Sequence, residues 1–193
     1  VHLFESYPQV IHISGHSHAT LEDARSIYQD DGYTAIQDGT IGAYFENESG
    51  KVDPNTGASA TRPADSEIAS QALRIDVLDD GTVKIYRMNL TTGEYMYEDE
   101  PWTFNVSDKT SLKYTSERTS TDAPTFDDGA TVTQGEVDGK TIHVQFPAAK
   151  PASGDNNDMV HEYQITLTPK NGGDAVTKSV FSDYYMAEKD QKD

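Results

Sequence analysis

The stretch Val10-Ile11-His12-Ile13-Ser14-Gly15-His16-Ser17-His18 decides how the rest of the chain is read. Its first five residues make a short continuous apolar run, the pattern of a strand covered on both faces. Gly15 then allows a sharp turn where a side chain would clash. Two imidazoles follow, one residue apart. Neutral imidazole is the commonest protein ligand for transition metals, and zinc-like ions take it at about 2.0–2.1 Å, which requires the ring to be held in advance. On an extended backbone, residues two apart share a face. His16 and His18 are therefore expected to look into one pocket while Ser17 turns away. The competing reading is a surface turn that happens to carry two histidines, because short motifs also match by chance.

The longer run His12-Ile13-Ser14-Gly15-His16-Ser17-His18, with Asp23-Ala24-Arg25-Ser26-Ile27-Tyr28-Gln29 and Tyr33-Thr34-Ala35-Ile36-Gln37-Asp38-Gly39-Thr40, resembles the last motif block of calcineurin-like metallophosphoesterases. In that family a strand ends in G-H-x-H, and a short loop leads to another strand that closes the site. The likeness spans roughly the first hundred residues and is densest over about thirty, which makes it far more specific than the tetrapeptide. It implies the C-terminal strands of an αββα sandwich. His16 and His18 would each ligate one of two divalent or trivalent metal ions (manganese, iron, zinc or nickel). The activity implied is hydrolysis of a small-molecule phosphoester by a metal-bridging hydroxide, with the metals about 3.5–4 Å apart. Asp23 and Asp38 lie near enough in sequence to orient the imidazoles, although exposed loop acids would look the same.

The family's other ligands come from earlier blocks: D-x-H, G-D-x-x-D, G-N-H-[D/E] and a further lone histidine. Neither D-x-H nor G-N-H occurs here, and only His2 and His12 precede His16. Gly154-Asp155-Asn156-Asn157-Asp158 spells G-D-x-x-D, but it follows the G-H-x-H block and sits in a turn-rich polar stretch, so it is not a ligand motif. The chain is thus expected to be the C-terminal portion of a longer enzyme, with the general acid and most ligands on a missing N-terminal half. Val1-His2-Leu3-Phe4 likewise reads as an interior start. Alone the chain is expected to be silent, since a catalytic metal normally needs three or more protein ligands.

Composition narrows the class. The chain has 193 residues, no cysteine, and a formal net charge of −18 from 33 acidic and 15 basic residues. The charge argues against a nucleic-acid-binding surface, which needs a basic patch. It suits a secreted or cell-surface protein, bacterial in character. No segment is apolar enough to span a bilayer and no signal peptide is visible. The sequons at Asn47, Asn89 and Asn105 matter only in a eukaryotic secretory pathway.

Along the chain, strands are expected at 33–37 and 42–45, with a loop over 19–31 that holds one helical turn and a long loop over 46–66. The clearest hairpin alternates Leu73, Ile75 and Val77 with Ala72, Arg74, Asp76 and Leu78, turns at Asp79-Asp80-Gly81, and returns through Val83, Ile85 and Tyr86. Arg87 is expected to face solvent unless it reaches a phosphate, and Trp102 to seal the edge of the core. These place a phosphoesterase part at 1–106, a connector rich in serine and threonine at 107–124, and an incomplete fibronectin type III or immunoglobulin-like sandwich at 125–193. In the last unit, Ile142, Val144 and Phe146 alternate with His143 and Gln145, and Tyr163, Ile165 and Leu167 with Gln164, Thr166 and Thr168. His143 and His161 are expected on solvent faces, not as ligands. The fold class is mainly β. A reading from another class also fits: a non-catalytic extracellular β-module protein for surface binding or spacing.

Overall fold

The computed structural model describes residues 3–41, 70–97, 100–118, 122–139, 141–152 and 159–182. The protein is mainly β, built from several small sheets. The first contains β1 (Ile11–Ser14), β2 (Ile27–Tyr28) and β3 (Thr34–Gln37) in the order β1-β3-β2. β1 runs parallel to β3, and β2 runs antiparallel to it. Ile13, Ile36 and Ile27 stand opposite one another across the three strands. Ile27 and Ile36 are buried, yet Ile13 is 50% exposed. β1 is therefore not covered on both faces as its apolar run suggested. It is an edge strand with no second neighbour among the described residues, so its side chains lack cover on one flank.

The second sheet carries the core. β4 (Gln71–Val77), β5 (Thr82–Asn89) and β6 (Glu94–Tyr95) lie in that order, and β7 (Trp102–Asn105) pairs with the first half of β5 along the same edge that β6 takes at its end. The β4–β5 hairpin closes as its sequence specifies. The Thr82 N–H donates to the Asp80 carboxylate at 2.9 Å, and Gly81 takes φ +82, a left-handed conformation that glycine adopts freely. Residues alternate strictly along β5, with Val83, Ile85, Arg87 and Asn89 buried. Val83 and Ile85 pack with Trp102 and Phe104 of β7 against Ile27 and Ile36 of the first sheet. Each such side chain contributes about 1.5–3 kcal/mol by leaving water. The two sheets are thus joined through one apolar layer.

Part of the stretch read as a connector belongs to this layer. Tyr114 is buried among those residues, and its hydroxyl accepts the Thr103 N–H at 2.7 Å. Its backbone is bonded to Gln29 from both sides: the Gln29 N–H donates to the Tyr114 carbonyl, and the Tyr114 N–H donates to Gln29 Oε1. Arg118 donates to the carbonyls of Ala24 and Ile27. A run of serines, threonines and charges concealed one aromatic anchor.

Beyond it, β8 (Thr133–Asp138) pairs with β9 (Thr141–Gln145), and β10 (Glu162–Leu167) with β11 (Val176–Phe181), both antiparallel. These two hairpins do not pair with each other among the described residues. Phe126, Phe146 and Tyr163 meet with ring centroids 5.0–6.5 Å apart and form the small aromatic centre of this region. The strand expected at 42–45, the loop at 46–66, His2, Asn47, the 154–158 stretch and the charged end lie outside the described residues. No helix among the described residues is long and apolar enough to cross a membrane.

Candidate functional site

β1 ends at Ser14, two residues before the first of the paired histidines. Its end is fixed by β3: the Asp38 N–H donates to the Ser14 carbonyl at 3.2 Å, and the Ser14 hydroxyl to the Ile36 carbonyl at 3.3 Å. A Cβ at Gly15 would lie 3.3 Å from Asp38 Oδ1, tighter than ordinary contact. Glycine is therefore what lets the exposed Asp38 carboxylate lie against the backbone at the root of the loop.

His16 and His18 then take φ +78 and +47. Left-handed conformations are uncommon for residues with a Cβ and cost about 1–3 kcal/mol each, so surrounding structure must hold them. This replaces the expected geometry. The two rings are not presented by the alternation of a strand, because the strand has already ended. Two left-handed residues flank Ser17, whose hydroxyl donates to Gln37 Oε1 at 2.5 Å and ties the loop back to β3. His16 is exposed and His18 half-buried. Among the described residues there is no group of three or more histidine, cysteine or acidic side chains arranged to hold a metal ion. The two imidazoles suit a transition metal chemically, but they supply two donors only.

After His18 the chain dives inward. Thr20, Leu21, Glu22 and Asp23 are all buried, in a stretch whose polar residues read as an active-site loop. Asp23 caps the 3-10 turn Ala24–Ser26 by accepting the Arg25 N–H at 2.9 Å, and it pairs with the Arg25 guanidinium. Burial alone would raise the Asp23 pKa, but the hydrogen bonds and charge of Arg25 outweigh it and hold the carboxyl below its ordinary value. His161, half-buried just before β10 and not on an open strand face, adds a smaller pull in the same direction. Asp23 is thus committed to the turn and to Arg25. His143 lies exposed on β9, as expected.

Two functional candidates escaped the sequence reading, Glu22 and Gln71, and a third, Arg87, was placed there in solvent unless it reached a phosphate. Glu22 is 1% exposed and Gln71 not exposed at all. Gln71 Oε1 accepts the Leu21 N–H at 2.8 Å, while its Nε2 donates to both Glu22 carboxylate oxygens at 2.9 and 2.8 Å. Arg87, expected to face solvent, is 6% exposed, with its guanidinium 4.0 Å from the Tyr97 ring centre and 4.6 Å from that of Trp102. Burial lowers its pKa, and the Glu22 charge is among the influences that oppose this. No local signal marks such residues, since a buried glutamine or glutamate is spelt like an exposed one. Of the sequons, Asn89 is buried and its side chain accepts the N–H groups of Thr91 and Thr92.

Comparison with protein-family models, with curated proteins and with solved structures returns no match.

Proposed function

We propose that this chain is the C-terminal part of a dinuclear-metal phosphoesterase similar to the calcineurin-like enzymes, with His16 and His18 each supplying one nitrogen to a different metal. The observation that supports this best is the paired left-handed conformation of the two histidines around an anchored Ser17. Strain of this kind concentrates at functional sites, where the fold over-determines it. Histidine enters this region more readily than most residues, but two of them on either side of one anchored serine concentrate that strain in a single loop.

The exposed flank of β1 supplies a second support. A parallel pair is ordinarily covered on both faces, yet β1 leaves His12 and Ile13 exposed beside the histidine loop. Polypeptide lying along β1 would cover Ile13 and bring further ligands to the two imidazoles. When bound, a metal pair supplies Lewis acidity toward water and phosphoester. This chain's own residues do simpler work. The Ser17–Gln37 bond and the close approach of Asp38 to Gly15 hold the loop, and the buried 20–23 segment fixes where it ends. The substrate in this reading is a small phosphoester, and the acidic chain suits an extracellular setting.

The test is phosphatase activity toward para-nitrophenyl phosphate. Residues 1–193 alone are expected to give no rate above buffer, because two imidazoles fall short of a catalytic ligand set. Activity is expected once polypeptide bearing D-x-H, G-D-x-x-D and G-N-H-[D/E] is restored, and His16→Ala should reduce it at least 100-fold, the order seen when a metal site loses its organisation. A gene in which none of those motifs precedes Val1 would leave the non-catalytic β-module reading in its place.

A further inference from the structure

We propose that Gln71, on β4, is a positioning residue for the histidine loop: its buried carboxamide, locked to Leu21 and Glu22, sets how His16 and His18 are held. This rests on the metal-site reading given above. Gln71 stands in the core sheet, far along the chain from the loop, and joins the two through three hydrogen bonds of 2.8–2.9 Å. Its partners fix the orientation of the amide. The Leu21 N–H is a donor, so the atom facing it must be Oε1; a carboxylate only accepts, so the atom facing Glu22 must be Nε2. Nothing in this arrangement tolerates a rotated or shortened side chain.

The anchor is itself anchored. The Gln71 N–H donates to the Thr40 carbonyl at 2.9 Å, and Gln71 pairs with Asn89 across the β4–β5 ladder. Gly39, at φ +74, passes so close that a Cβ there would lie 3.3 Å from Leu21 Cγ and 3.4 Å from Gln71. The Ser26 hydroxyl donates to the Thr20 carbonyl at 2.7 Å and closes the segment from its other end. Arg87, also buried, lies on the same β5 face as Asn89, beside the β4 row that begins at Gln71, and the Glu22 charge is among the influences that favour its charged form. Only Ala19 and Thr20 separate His18 from the Leu21 amide that Gln71 grips. Loss of the grip therefore reaches the half-buried His18 first and the exposed His16 second.

The experiment compares wild type, Gln71→Glu and the exchange Glu22→Gln/Gln71→Glu in the 193-residue chain. It follows amide exchange at Leu21 and the imidazole nitrogen signals of His16 and His18 during titration with zinc chloride. Gln71→Glu sets carboxylate against carboxylate, so Leu21 exchange should quicken and zinc affinity at the two rings should fall about 10- to 100-fold, as for other groups that orient metal ligands. The exchange variant restores one amide to one carboxylate. The carboxylate at position 71 accepts from Leu21 and from the amide now at position 22, and both readouts should return to within about threefold of wild type, a residual well under one decade in affinity. Folded variants with unchanged imidazole signals, or an exchange variant that does not recover them, would overturn the proposal. Zinc that leaves both rings unmoved in wild type, with the metal-free ring signals and Leu21 exchange still tracking the series, would instead count against zinc capture by the two rings and spare the positioning role.

Discussion

At the residue scale, the consequential positions are those where backbone or charge is held against its ordinary preference. Asp23 is one. Its carboxyl titrates below the ordinary value in the folded chain because Arg25 outweighs burial. A depressed folded pKa contributes stability that is present above the unfolded value, about 3.9, and is lost as pH falls through the folded one. Asp23→Asn keeps a good capping acceptor but removes the charge. The variant should match wild type once the pH lies below the folded titration of Asp23 and fall short of it at pH above the unfolded value. Since the Arg25 side chain is 81% exposed, the shortfall should stay under about 1 kcal/mol. Urea midpoints from pH 2 to 7 check it, and identical curves for the two proteins would remove the pair from the account. Gly39 is another such position. Gly39→Ala forces a side chain into a left-handed backbone packed against Leu21 and Gln71, and should cost about 1–3 kcal/mol by denaturant titration.

At the scale of elements, the β4–β5 hairpin was fully legible, because its alternation and its Asp-Asp-Gly turn are local. β1 and β3 were legible as strands for the same reason. The cover over β1 was not, since an apolar run says that a strand prefers burial, not that a neighbour is there to provide it. The histidine pair was legible as a candidate and its geometry was not. Strand alternation gave the wrong basis for its aim, because β1 stops at Ser14 and left-handed turns take over. The buried 20–23 segment and Tyr114 escaped for a third reason. Polar residues enter a core only when distant partners satisfy them, and Gln71 and Gln29 lie outside any local window. Trp102 shows the opposite case, a large aromatic whose core role the sequence made plain. Trp102→Ala should cost about 3–5 kcal/mol and lower the thermal midpoint of the β4–β7 sheet, with near-UV circular dichroism as the check.

For the whole molecule, the two small sheets of residues 3–118 share one apolar layer, and the histidine loop emerges where that layer meets the uncovered edge of β1. The hairpins of residues 133–182 stand apart from it in sequence and have only a modest aromatic centre. An acidic chain of formal charge −18 repels phosphoesters in general, so the proposed activity depends on cations reversing the field locally. The most direct measurement is therefore metal content together with X-ray absorption, on the protein produced from its complete gene and on its His16→Ala and His18→Ala variants. Two first-row metal ions per chain are expected, with a metal–metal vector at about 3.5–4 Å and nitrogen scattering at about 2.0–2.1 Å, and each variant should lose one ion or both. Metal content that neither substitution changes would contradict the account.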